Sequence, residues 1–193
     1  MHQLSLLDDT DSGSFYKNVR EPEVSELPAD GLYRACFFTG HRRLPETELP
    51  TLLQRLRSSV LYLHSKGVTD FYAGGAIGFD TVAAAQIIDL RREHSDIRLF
   101  LELPFLNQSD RWDENQKRYY DFILSQADAT HYARKDTVLS PSQARNLLLK
   151  RNRAMVDKCH YGIAYYSGTP VGGTAYTVRY AKEHDRELVE ITE

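Results

Sequence analysis

"VTDFYAGGAIGFDTVAAAQIIDL", residues 68–90, contains one complete strand–turn–helix unit. Val68, Thr69, Phe71 and Tyr72 are residues that suit a pleated, half-buried strand. Gly74, Gly75 and Gly78 then interrupt any regular element. From Asp80 the chain turns alanine-rich, with Val82, Ile87 and Leu90 among small residues, which predicts a helix packed close to a sheet. A strand that runs through a glycine turn straight into a helix is the building block of a parallel α/β sheet.

The same alternation extends outward in both directions. Toward the N-terminus lies the apolar run "YRACFFT" (33–39). Leu49, Leu52, Leu53, Leu56, Val60 and Leu63 follow at helical spacing, and Gly67 supplies a stop. Toward the C-terminus, "IRLFLELPF" (97–105) reads as a strand and 109–128 as a helix with Trp112, Tyr119, Phe122 and Ile123 as its apolar positions. "ATHYA" (129–133) is a short strand. Ser140 and Pro141 open a helix over 140–159 as an N-cap and a first-turn proline. "YGIAYY" (161–166) is a strand, 172–185 a helix and "ELVEIT" (187–192) a closing strand. The expected fold is a single Rossmann-like α/β domain over 31–193, a parallel sheet with helices on both faces.

Charge divides the chain unevenly. Residues 1–30 carry seven acids and two bases, and the remaining residues carry 20 acids and 22 bases. The first 30 residues are therefore read as an acidic arm, flexible or loosely docked. A body near neutrality lacks the footprint of a strong nonspecific DNA binder, although a local basic cleft is compatible with it. Two cysteines supply neither a disulfide framework nor a zinc pattern. No apolar run reaches membrane-spanning length and no leader-type segment is evident, so the expected setting is cytoplasmic, with no membrane partner. No metal or cofactor motif is recognised, and a homo-oligomer stays open.

In open α/β sheets ligands bind outside the carboxyl ends of the strands. The strand ends are therefore the candidate site. The first ends in Gly40, His41 and Arg42. The second ends in Gly74, Gly75 and Gly78, with Asp80 at the following helix start. The fifth ends in "SGTPVGGT" (167–174), with Gly172, Gly173 and Thr174 at a helix start. Glycine lets the backbone approach an anion closely, and a helix N-terminus aims free N–H groups at it. Arg42 suits bidentate phosphate contact. Asp80 reads first as a helix-start acid, and Trp112 as core packing. "KRNRAMV" (150–156) places Arg151 and Arg153 on different sides of one helix, so one faces the cleft and the other faces water or an acid. No serine elbow, metal-spaced histidine cluster or Walker lysine occurs.

The residues Gly40-His41-Arg42, "GGAIGFD", "KRNRAMV" and "SGTPVGGTAYTVRYA", in that order, resemble the SLOG superfamily. That group joins the DNA-processing protein Smf/DprA with the LOG nucleotide hydrolases. The "TGHR" start (39–42) is most similar to its bacterial YpsA-like subgroup. The resemblance covers about residues 33–192 and implies a Rossmann-like fold with a nucleotide-type ligand over the glycine turns. It also implies Arg151 as the counterpart of an arginine that LOG enzymes use in N-glycosidic cleavage. The glutamate those enzymes need falls on Thr177, so the acid is absent. The DprA branch, which binds single-stranded DNA, shares the "RNR" and glycine elements.

Three functions follow as expectations. The first is binding of a nucleotide or nucleotide-derived, ADP-ribose-like ligand, as a sensor or carrier. It would use Gly40, His41, Arg42, Gly74, Gly75, Gly78, Asp80, Arg151, Gly172, Gly173 and Thr174. The alternative is N-glycosidic hydrolysis of a nucleoside monophosphate or an NAD-derived compound, with Asp80 or Glu102 replacing the missing acid. The third is single-stranded nucleic-acid binding, the lesser candidate for so neutral a body.

Overall fold

The computed structural model describes residues 31–138 and 140–191. Its six strands are β1 (Ala35–Gly40), β2 (Asp70–Ala73), β3 (Arg98–Leu103), β4 (Ala129–Tyr132), β5 (Tyr161–Tyr165) and β6 (Glu187–Glu190). Five helices connect them: α1 (Leu49–Ser65), α2 (Phe79–Leu90), α3 (Glu114–Gln126), α4 (Pro141–Lys158) and α5 (Gly173–Glu183). The strands form one sheet in the order β4-β3-β2-β1-β5-β6. All five pairings are parallel. The α/β reading, with helices on both faces, holds. The acidic arm expected over 1–30 lies outside the described residues, as does the last residue of the strand expected over 187–192.

Alternation along the strands divides the core into two layers. Cys36, Phe38, Phe71, Leu99 and Leu101 point to one face, where they meet Leu52, Leu56, Val60 and Leu63 of α1, Ala83, Ala84 and Ile87 of α2, and Ile123 of α3. Ala35, Phe37, Ala164 and Leu188 point to the other, against Met155 and Val156 of α4 and Val178 and Ala181 of α5. Period-two strands and 3.6-period helices produce this segregation without further instruction.

Boundaries differ from expectation where local hydrogen bonds decide them. The run at 33–39 becomes a strand only from Ala35, because Gly31 adopts φ 76° and the Arg34 N–H bonds the Gly31 carbonyl, making a 3-10 turn of Leu32–Arg34. The helix expected from 109 begins at Glu114. Asp113 accepts from the Gln116 N–H while the Gln116 side chain accepts from the Asp113 N–H, a capping box that starts the helix there. Trp112 therefore precedes the helix, and it packs edge-on against Tyr120 beside the core.

Candidate functional site

The strand order reverses direction at β1. The chain leaves β1 toward β2 on one side, and β5 lies on its other side. The loops after β1 and β5 consequently run to helices on opposite faces and leave a crevice between them, the usual binding position in such sheets. A cleft of about 760 Å³ occupies that position.

Its β1 side is built by close backbone approach. A Cβ on Gly40 would lie 2.5 Å from the Phe79 ring, and one on Gly78 would lie 2.4 Å from the Arg42 carbonyl oxygen. Gly78 also adopts φ +90°, a conformation that disfavours L side chains. These absences let the chain after β1 settle on the start of α2, where the Phe79 N–H donates to the His41 carbonyl at 3.0 Å. Arg42 is thereby exposed at the cleft wall.

The base holds a buried ion pair. Arg151 of α4 is 5% exposed, and its Nη1 donates to Asp80 Oδ2 at 3.2 Å. The Ala76 N–H donates to the same oxygen at 3.4 Å. Burial pushes the Asp80 carboxyl above its usual value and the Arg151 guanidinium below its own, and each shift is opposed by the other's charge. Arg42 is close enough to act on both. Arg151 Nε is buried with no hydrogen-bond partner among the described residues. Arg153 is exposed on another side of α4, so the two arginines separate as their spacing demands.

The remaining wall comes from β5 and α5. Gly172 caps α5 at φ 107°, Gly173 is its first residue, and the Thr174 hydroxyl donates to the Gly40 carbonyl at 2.8 Å. His41 Nε2 accepts from the Ser167 N–H at 3.1 Å, which ties the loop after β1 to the loop after β5. Accepting there places the imidazole proton of the neutral ring on Nδ1. Val171, 74% exposed, stands at the cleft lip.

Of the residues singled out in the sequence, Gly40, His41, Arg42, Asp80, Arg151, Gly172, Gly173 and Thr174 line this one cleft. Gly74, Gly75 and Gly78 do not. Gly74 clears the space that the Arg151 guanidinium fills, since its Cβ would lie 1.1 Å from Arg151 Nη1. Gly75 turns against Leu103 and Gln108 on the β3 side. The middle glycine turn thus supports the charged base from behind. Glu102 also lies outside the cleft wall, paired with Lys158 and His131. Thr177 is fully buried. Among the described residues no cluster of His, Cys, Asp and Glu suits a metal ion. No described helix is long and apolar enough to cross a membrane.

Sequence reasoning missed Arg145, Asn152, Tyr176 and Arg179, all on the cleft wall. The available signal was spacing. Arg145, Leu148, Leu149, Asn152 and Met155 recur at helical intervals along α4, and Tyr176 and Arg179 are three apart on α5.

A family model described as YpsA, the YspA SLOG family, matches residues 38–192. A UPF0398 protein of Bacillus cereus (strain B4264) is 30% identical over 128 residues, 66% of this chain and 67% of its own. Another, from B. cereus (strain G9842), is 32% identical over 109 residues, covering 56% of this chain and 57% of its own. Among solved structures, DNA processing protein A (DprA) from Streptococcus pneumoniae superposes with a TM-score of 0.58 at 15% identity, over 82% of this chain and 50% of that one. DprA from Helicobacter pylori, whose structure addresses its single-stranded DNA binding mode, gives a TM-score of 0.54 at 17% identity, over 80% of this chain and 63% of that one. At these identities the likeness to DprA is one of fold. The chain spans half the length of the pneumococcal protein.

Proposed function

The chain belongs to the YspA SLOG family, and on that premise we propose that it binds a nucleotide or nucleotide-derived ligand, of the ADP-ribose kind, in the cleft outside β1 and β5, as a sensor or carrier. The observation that carries this reading is Arg151. A guanidinium on the cleft wall whose one hydrogen bond among the described residues goes to Asp80 keeps further N–H donors for an anion entering the cleft. Arg42 stands beside it, and the glycine-opened start of α5 adds free backbone N–H groups and a favourable dipole. Leu148, Leu149, Val171 and Tyr176 give the same cleft an apolar flank on which a base or sugar would rest.

Binding fits this wall better than N-glycosidic cleavage does. The position where LOG enzymes would place a glutamate is Thr177, whose hydroxyl is spent inside the protein. Asp80 is the acid on the cleft wall, and Arg151 holds it. A second reading, single-stranded nucleic acid, is favoured by the exposed Arg42, Arg145 and Arg179 along an open cleft and by the shared fold of H. pylori DprA.

A thermal-shift panel tests both. Nucleotides and ADP-ribose should raise the melting temperature by mass action, with the rise growing with ligand concentration. A nucleic-acid site would instead show oligonucleotide affinity falling steeply with salt. No stabilisation by any phosphate-bearing ligand, and no oligonucleotide binding at low salt, would refute the site.

A further inference from the structure

We propose that Asn152 reads a hydrogen-bond donor on the ligand, a sugar hydroxyl, and that Thr177 sets its amide to do so. This rests on the nucleotide reading above and adds the group by which the site tells one nucleotide from another.

Thr177 is fully buried, and its hydroxyl donates to the Gly173 carbonyl at 2.9 Å. A hydroxyl has one hydrogen, so Thr177 Oγ1 can only accept from any other neighbour. Asn152 meets that oxygen at 2.8 Å. The amide end facing Thr177 is therefore the nitrogen, Nδ2, and the carbonyl end, Oδ1, is turned away from it. Oδ1 has no protein partner among the described residues. Asn152 is half-buried and lines the cleft. The structure thus offers a fixed acceptor to whatever enters.

That acceptor stands in a wall of donors. Arg42, Arg145, Arg151 and Arg179 can only donate. Two nearby oxygens are already engaged: the Gly40 carbonyl receives the Thr174 hydroxyl, and Asp80 Oδ2 receives Arg151 and the Ala76 N–H. Phosphate oxygens accept and so match the arginines, while Asn152 Oδ1 would repel them. Asn152 and Arg151 line the same cleft, so a ligand whose phosphate meets the arginines can bring a donor to Oδ1. A ribose hydroxyl fits that description more closely than a base amine. A site that hydrogen-bonds a hydroxyl rejects the analogue lacking it, since its own polar group is left unpaired.

Calorimetric titration of ADP, 2′-deoxy-ADP, 3′-deoxy-ADP and inosine diphosphate into the native protein tests this. Thr177→Val, Thr177→Ser and Asn152→Ala complete the set, with inorganic pyrophosphate as a probe of the phosphate contacts alone. One deoxy analogue should bind the native protein about tenfold more weakly than ADP, the scale of one net hydrogen bond. Thr177→Val frees the amide to turn and should abolish most of that discrimination. Thr177→Ser keeps the hydroxyl and should preserve it. Pyrophosphate reports the arginine contacts, and its binding by Thr177→Val and Asn152→Ala shows that those contacts survive the substitution. Asn152→Ala, at a half-buried position, should remove the discrimination in the same way should Thr177→Val fail to fold. Discrimination against inosine diphosphate instead would mark the base amine as the donor and overturn the sugar assignment. Binding of ADP without discrimination, or discrimination that survives both Thr177→Val and Asn152→Ala, overturns the proposal while leaving the nucleotide site standing. Failure of ADP, ADP-ribose and pyrophosphate alike to bind removes both.

Discussion

A methyl group at position 74 would sit 1.1 Å from Arg151 Nη1 and 2.5 Å from Asp80 Oδ2. The guanidinium can give way only toward the cleft, away from Asp80, and the two form a buried pair. Gly74→Ala should therefore expel the guanidinium and strand Asp80 without its partner. Breaking a buried pair costs about 3–5 kcal/mol, so the denaturant midpoint should fall by a corresponding amount and ligand stabilisation should vanish with it. An unfolding free energy within about 0.5 kcal/mol of the native protein's, the range of an ordinary surface change, would show that the pair does not depend on this glycine. The glycine was legible in the sequence, and its reason was not. From "GGAIGFD" one reads backbone freedom at a strand end. That a guanidinium from a helix residue 71 positions beyond Asp80 fills the vacated space is a long-range contact, and local spacing carries no record of it.

Helix ends and helix faces were unequally readable. The capping box of Asp113 and Gln116 opens α3 and sets Trp112 outside it. Asp113→Ala should cost about 1 kcal/mol of stability, measurable by chemical denaturation, while Asp113→Ser should recover most of it. An Asp113→Ala protein as stable as the native one would mean that core contacts of Tyr120 and Ile123 alone hold the helix. On α4 the separation of Arg151 from Arg153 followed from helical geometry, and the structure places them accordingly. Arg145 and Asn152 were overlooked because each, taken singly, looks like an ordinary surface residue of a polar helix. Only the docking of α4 over β1 and β3, with α5 beside it, turns that stripe into a wall.

At the scale of the whole molecule, the alternation of strands and helices was open to sequence reading, because parallel sheets bury both faces and leave near-continuous apolar runs. The strand order was not, since pairing partners share no local signal. That order places the reversal at β1 and β5, and so decides which strand ends form the cleft. The packed sheet also makes an alkaline prediction. Burial pushes the phenols of Tyr72 and Tyr120 from 10.0 up to about 12. Below the ordinary value both states keep these protons and stability is at its full level. As pH rises from about 10 through about 12 the unfolded chain ionises first, and stability should fall. Denaturant midpoints measured across that window should decline for the native protein and decline less for Tyr72→Phe with Tyr120→Phe. Equal slopes would exclude these two phenols as the cause.

On the proposed function, the crevice between the β1 and β5 loops binds a phosphate-bearing nucleotide through Arg151 and Arg42. Calorimetric titration of ADP-ribose into the native protein, Arg42→Ala, Arg151→Lys and Arg153→Ala tests it most directly. Lysine can still face Asp80 but cannot reproduce the planar fork, so Arg151→Lys should weaken binding about tenfold or more, with Arg42→Ala losing a comparable amount. Arg153→Ala, on the exposed side of the same helix, should bind as the native protein does. Saturable one-site binding with that pattern is the predicted result. No binding of ADP-ribose, ADP or AMP to the native protein, or an equal loss from Arg153→Ala, would contradict it.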